Sequence, residues 1–345
     1  MRKPHLAFGL LLGLTLAVCP GLRINAFAQN SLPTWQGSYT YQGTQYTFTM
    51  VGANPATTLS GDTKVPTYLI PLKVTFANCS QPPCTFDPQS TLSNGQTVTQ
   101  NVSTSPVFSS EIDFKQGGTD LGETQYIDAF QRGNFWLYVQ NKPDYHLLLS
   151  PLTVLQDQTL TVPASDGEIC TFPYGFPVGE IDYSWLNSQL PNLITQLGIH
   201  PNSLAIFLTY DTLTLVGQEG RCGVSGAPTQ GFHQATSGSL NSQTYVYFGY
   251  VDPGNDIQPD VSILSHEVGE WADDPMVNNY PTPCNTNLEV GDPLIGHNYT
   301  YYSNEANFTY NLQDLTFITY FGAPDNTSLH GWYSFQDEAT GVCTP

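Results

Sequence analysis

The stretch Ile263-Leu264-Ser265-His266-Glu267-Val268-Gly269-Glu270-Trp271 places an imidazole and two carboxylates within five positions. On a helix, residues four apart project from one face a turn apart, so His266 and Glu270 stand together with Glu267 beside them. Val261, Leu264, Val268 and Trp271, at steps of three, four and three, form a separate apolar stripe. Such a helix can bury one face to fix its backbone and turn a histidine nitrogen and carboxylate oxygens toward one cation. A water on that cation is more acidic than free water, and a neighbouring carboxylate can take its proton, which is the chemistry of metal-assisted hydrolysis. The competing reading is a solvated acidic helix face, because Asp273 and Asp274 follow at once.

The pattern His-Glu-x-x-Glu resembles the zincin metallopeptidases, whose helix carries His-Glu-x-x-His, with Glu270 standing where the second histidine would be. In zincins that use a glutamate as third ligand, this residue follows about twenty positions later. Glu289, in Leu288-Glu289-Val290-Gly291-Asp292, comes nineteen positions after Glu270. The resemblance implies His266, Glu270 and Glu289 as metal ligands and Glu267 as the base that activates a water on the metal. Asp292 is a rival or auxiliary ligand, or an acceptor that orients His266. Zinc is the expected divalent metal; two carboxylates with one imidazole form a harder set that also admits Mn2+ or Fe2+. A zincin adds a donor for the developing oxyanion, for which His233, His297, Tyr299, Tyr301 and Tyr302 are candidates. Asp274, just before Pro275, is read as ending the helix or helping to bind a second cation such as calcium.

A narrower resemblance covers about 30 of the 345 residues. The runs Ser265-His266-Glu267-Val268-Gly269-Glu270, Asp274-Pro275-Met276-Val277-Asn278-Asn279 and Glu289-Val290-Gly291-Asp292 look like a segment of the EXORDIUM-like, phosphate-induced secreted proteins. That likeness implies a zincin-like fold in an extracellular protein.

The rest of the chain constrains the partners. Nine Lys and Arg against 29 Asp and Glu give a formal charge of −20. Nucleic acid is not an expected partner, because phosphate binding needs a basic surface. The charged fraction is only 11% while 40% of residues are hydrophobic, so the chain reads as a folded protein and not an acidic tail. Arg2 and Lys3 precede the apolar run Leu6 to Val18, and Ala26-Phe27-Ala28 closes a segment that reads as a signal peptide over 1–28. Its removal would take three basic residues and no acid, leaving six against 29 and a charge of −23. The expected location is secreted, extracellular or periplasmic, with no membrane span. Cys79, Cys84, Cys170, Cys222, Cys284 and Cys343 would remain, an even set in an oxidising compartment, so disulfides are expected; only Cys79 with Cys84 suggests a pair.

The elements that must carry these residues form an α+β arrangement: a β-rich region over 29–160, then a zincin-like mixed sheet with an active-site helix over 161–345. Strands are predicted over Tyr39 to Val51, which alternates with period two, and over Tyr68 to Phe76, Phe135 to Val139, Leu204 to Val216 and Thr244 to Val251. Helices are predicted over Trp185 to Leu197, ended by Gly198, over Pro259 to Asp274, and over Asn311 to Phe321. The functional expectation is a secreted metal-dependent hydrolase, an endopeptidase acting on polypeptide or a cell-wall component. The alternative is a non-catalytic cell-wall or carbohydrate-binding protein, with Trp35, Tyr39, Tyr41, Tyr46 and Trp136 as sugar-stacking rings.

Overall fold

The long strand Gly61–Phe76 begins exposed, alternates buried and half-buried residues from Val65 to Tyr68, and then buries Leu69 to Leu72 without a break. That change marks a strand entering the middle of a sheet, where both faces are covered. The computed structural model describes residues 30–335 except 42, 60, 81, 117–118, 172–173, 217–221, 223–227, 253–257, 281–287 and 319–331. The segment read as a signal peptide, together with Cys284 and Cys343, lies outside the described residues.

Gly61–Phe76 pairs in parallel with Leu204–Tyr210, which pairs in parallel with Thr244–Tyr250. Gly231–Ala235 then closes this side of the sheet as an antiparallel edge strand. Strands Tyr145–Val154 and Gln158–Val162 also run parallel to Gly61–Phe76. The sheet therefore draws strands from both sides of residue 160, and its register ties Leu69 of the first region to Ile206 of the second. Mixed pairing with helices packed on the sheet makes the chain α+β.

One face of the sheet, including Leu69, Ile206, Val246 and Phe248, packs on Leu264, Val268 and Trp271 of the helix Ser262–Asp273. The helix Tyr126–Asn134 contributes Ile127 and Phe130 to the same core. The opposite face, including Ile70, Phe207 and Tyr245, packs on Leu186, Leu190 and Ile194 of the helix Tyr183–Leu197. Each large apolar side chain buried this way contributes about 1.5–3 kcal/mol. The Tyr183–Leu197 helix starts where the Asp182 carboxylate accepts from Trp185 N at 2.9 Å and stops at Gly198, whose φ of 67° suits glycine.

Four sequence expectations are corrected. Tyr39 to Val51 is not one strand but parts of a hairpin, Thr34–Tyr41 against Thr44–Val51, turning at Gly43 with φ 82°. Leu204 to Val216 breaks at Asp211, φ 46°, so that Thr212–Leu215 pairs with Val178–Asp182 in another sheet. Phe135 to Val139 is helical over Trp136–Val139: the Phe135 N–H caps the preceding helix at Gln131 O, and the next turn follows directly. A four- or five-residue apolar run carries no period of its own. The helix expected over Asn311 to Phe321 is not formed in its described part, 311–318, where the chain runs in strands Phe308–Gln313 and Thr316–Ile318; 319–321 lie outside the described residues. Buried Tyr310 and Leu312 alternate with less buried Thr309 and Asn311, the period of a strand.

Candidate metal centre

The helix Ser262–Asp273 is buried on every side, including Glu267 and Glu270. The solvated acidic face is thereby excluded, since two carboxylates inside a core need compensating charge or hydrogen bonds. The apolar stripe is where the sequence put it, with Val261, Leu264, Val268 and Trp271 all 0% exposed. Trp271 Nε1 also donates to Thr244 Oγ1 at 3.0 Å, which sets the helix against its neighbouring strand. Ser265 Oγ accepts from Gln313 N at 2.8 Å on the other side.

Two glycines let the surrounding chain close in. A Cβ on Gly231 of the edge strand would lie 2.4 Å from Ile263 Cγ2 and 2.8 Å from Glu267 Oε1. A Cβ on Gly291 would lie 2.5 Å from His266 Nδ1. Only a bare Cα fits at either point. The 288–291 segment is held by Thr316 N donating to Val290 O at 2.8 Å and Gln313 Nε2 donating to Gly291 O at 2.7 Å.

These contacts gather the side chains. His266 Nε2 lies 3.1 Å from Glu270 Oε2, 3.7 Å from Asp292 Oδ1 and 4.0 Å from Glu267 Oε1. His233, on the edge strand, brings Nδ1 to 3.3 Å from Glu267 Oε2 and 3.6 Å from Glu270 Oε2. Glu270 Oε1 accepts from Gly291 N at 3.1 Å, which leaves Oε2 facing both imidazoles. Glu289 joins His233 and Glu270 in a group whose donor atoms lie within 4.8 Å of one another; His266, Glu267 and Glu270 form a second such group. All four residues singled out from the motif are therefore in one cluster, but Glu289 groups with His233 and Glu270, not with His266.

Burial and mutual proximity perturb the titration of every ionisable group in the cluster. Burial opposes protonation of His266, but the Glu270 carboxylate, helped by Glu267 and Asp292, outweighs it and lifts the pKa to about 10. For His233 burial is outweighed by its bond to Glu267 and by Glu289 and Glu270, giving about 9. Burial and the adjacent Glu270 charge push Glu289 up to about 9. Burial also raises Glu267 and Asp292. Burial would raise Glu270 too, but the two imidazoles hold it down at about 2. Among the described residues no lysine or arginine pairs with these carboxylates.

The donor set fits a divalent metal. Two donors each about 2.1 Å from one ion lie at most about 4.2 Å apart, and the contacts of both imidazoles with Glu270 satisfy this. Nitrogen and carboxylate donors suit zinc, manganese or iron.

The other candidates sit elsewhere. His297 is exposed. The Tyr301 hydroxyl donates to Glu111 O at 3.1 Å and that of Tyr302 to Asn307 Oδ1 at 2.8 Å, so both are directed away from the cluster. Tyr299 is half-buried against the core. Asp274 ends the helix and accepts from Asn278 N and Asn279 N at 2.9 and 3.0 Å. Sequence reasoning had His233 only as an oxyanion donor; its place in the cluster has no local signal, being 33 positions before His266.

A cleft of about 660 Å³ opens beside the cluster. His266, Glu267 and Asp292 line it, with Tyr174, Ile263 and Ile295 among its other walls. Tyr174 is braced by its hydroxyl donating to buried Glu180 Oε1 at 2.6 Å, and Glu180 Oε2 accepts from Cys222 N at 2.8 Å. The disulfide Cys170–Cys222 ties this wall down, and Cys79–Cys84 closes a distant loop. Among the described residues no helix is long and apolar enough to cross a membrane. No family model, curated protein or solved structure matches the chain.

Proposed function

We propose that the protein is a secreted, zincin-like metal-dependent hydrolase acting on polypeptide, with Glu267 as its base. The observation that carries the reading is the meeting of His266, Glu267 and Asp292 on the wall of the cleft, with Glu270 behind them. A divalent cation held by His266 and Glu270 would polarise a substrate carbonyl and acidify a water.

Glu267 is the farthest of the three carboxylates from His266 Nε2, at 4.0 Å against 3.1 Å and 3.7 Å. That offset suits a group that accepts a proton from a water in the cleft, one hydrogen bond beyond the ligands. Burial makes Glu267 more basic than an ordinary glutamate, which favours the transfer. The His233 ring, with Nδ1 3.3 Å from Glu267 Oε2, packs beside the carboxylate and limits the directions open to it. Tyr174, Ile263 and Ile295 offer apolar contacts to side chains flanking the scissile bond.

The test is chelator-sensitive cleavage of an unfolded protein such as reduced casein by the purified chain, with metal content measured in parallel. Glu267→Gln should keep the metal and lose at least about 100-fold in rate; His266→Ala should lose cleavage and lower the metal content. Full activity in Glu267→Gln, or no metal in the wild-type protein after metal-replete expression, would refute the proposal.

A further inference from the structure

We infer that the cluster is built for two divalent cations that share Glu270, one on the cleft wall and one behind it. The inference rests on the metal-dependent reading above and adds the number of ions and the division of labour between them.

The donors offer more than one place for an ion. Two imidazoles and four carboxylates, those of His233, His266, Glu267, Glu270, Glu289 and Asp292, converge there. His266, Glu267 and Glu270 form one group of donor atoms and His233, Glu270 and Glu289 another, the atoms of each lying within 4.8 Å of one another.

The geometry divides the donors the same way. On one side His266 Nε2 faces Glu270 and Asp292; on the other His233 and Glu289 form a group with Glu270. Glu270 belongs to both sides, and its Oε2 lies 3.1 Å from His266 Nε2 and 3.6 Å from His233 Nδ1. Because Gly291 N occupies Oε1, Oε2 is the atom left to bridge. Two-metal hydrolytic sites hold their ions about 3.5–4 Å apart with a shared carboxylate of this kind.

The two positions differ in access. His266, Glu267 and Asp292 line the cleft, whereas His233, Glu270 and Glu289 do not. His233 is 5% exposed and Glu270 2%, while the Asp292 side chain is 49% exposed. An outer ion, held by His266 and Asp292, would face the cleft, whereas an inner one, held by His233 and half-buried Glu289, would lie outside the cleft lining. Inner and outer ions should therefore exchange at different rates.

The experiment is a Zn2+ and Mn2+ titration of the chelator-stripped full-length chain by calorimetry, with elemental analysis after dialysis. Two equivalents are expected, the inner one leaving at least tenfold more slowly when chelator is added. His233→Ala and Glu289→Gln should each bind one equivalent, and Asp292→Asn should weaken only the faster-leaving ion. The Mn2+ form should give a spin-coupled paramagnetic resonance signal that collapses to an isolated-ion signal in His233→Ala. One equivalent in the wild-type chain overturns the inference and leaves the hydrolase proposal standing; none overturns both. The wild-type stoichiometry decides the matter even if a variant fails to fold.

Discussion

Gly291 sits against the imidazole of His266 so closely that a Cβ at Gly291 would be 2.5 Å from His266 Nδ1, while the Gly291 N–H donates to Glu270 Oε1 at 3.1 Å. One residue thus sets both the position of the imidazole and the direction of the carboxylate. Its φ of −88° is open to any residue, so the requirement for glycine is purely one of space. Gly291→Ala should lower metal affinity by about 10–100-fold, as loss of a group orienting a ligand does. Gly238→Ala is the control, because its added Cβ would meet only Asn278 Nδ2 at 3.6 Å. Calorimetric titration compares them, and equal affinities would show that His266 is not held by this contact.

Metal uptake should expel protons. In the ion-free protein His266, His233 and Glu289 titrate at about 10, 9 and 9, so all three hold a proton at pH 7. A ligand atom must give up its proton to bind a cation, so affinity should rise with pH from 7 toward 9. Titration in two buffers of different ionisation enthalpy reads the proton release directly. Identical apparent enthalpies in the two buffers would show that these groups are not the ligands.

Trp271 fixes the ligand-bearing helix through its packing and through the bond from Nε1 to Thr244 Oγ1. Trp271→Ala should cost about 3–5 kcal/mol, the usual range for emptying a site of this size. Trp271→Phe keeps most of the volume and should cost less. Urea unfolding measures both, and a loss below about 1 kcal/mol for the alanine variant would mean that the helix is anchored elsewhere.

His146 lies far from the centre and makes its own pH response. Its Nδ1 is 2.8 Å from Oδ2 of Asp128, a buried carboxylate that also accepts from Leu147 N and Thr124 Oγ1. The hydrogen bond to Asp128 raises the pKa of His146 against the opposing effect of burial. A histidine whose pKa is higher folded than unfolded stabilises the fold fully below its ordinary 6.5 and loses that contribution as pH rises through the folded value. Stability should fall over that window in the wild type and fall less in His146→Gln. Thermal unfolding at pH 6 and pH 8.5 tests it; an unchanged difference between the two pH values in the variant would remove His146 as the cause.

What could be read along the chain was whatever a helix repeats locally. His266, Glu267 and Glu270 share a region of the helix surface, and Val261, Leu264, Val268 and Trp271 share another, because 3.6 residues per turn fixes their directions before any tertiary contact forms. Gly198 marked a helix end because its backbone takes the left-handed conformation there. The same local reading failed at Phe135 to Val139 and Asn311 to Phe321, where short runs of aromatic and apolar residues fit either period and neighbouring elements decide. Position along the chain could not place His233 beside Glu270, since an edge strand 33 positions upstream reaches the helix only through pairing across the sheet. Nor could it assign Glu289 to His233, or show that the acidic helix face is enclosed and not solvated. Those facts depend on which strand lies at the sheet edge and on how closely Gly231 and Gly291 let the backbone approach. Sequence alone determined a helix able to present an imidazole and two carboxylates on one face; the tertiary structure decided which other ionisable side chains meet them and which of them face the cleft.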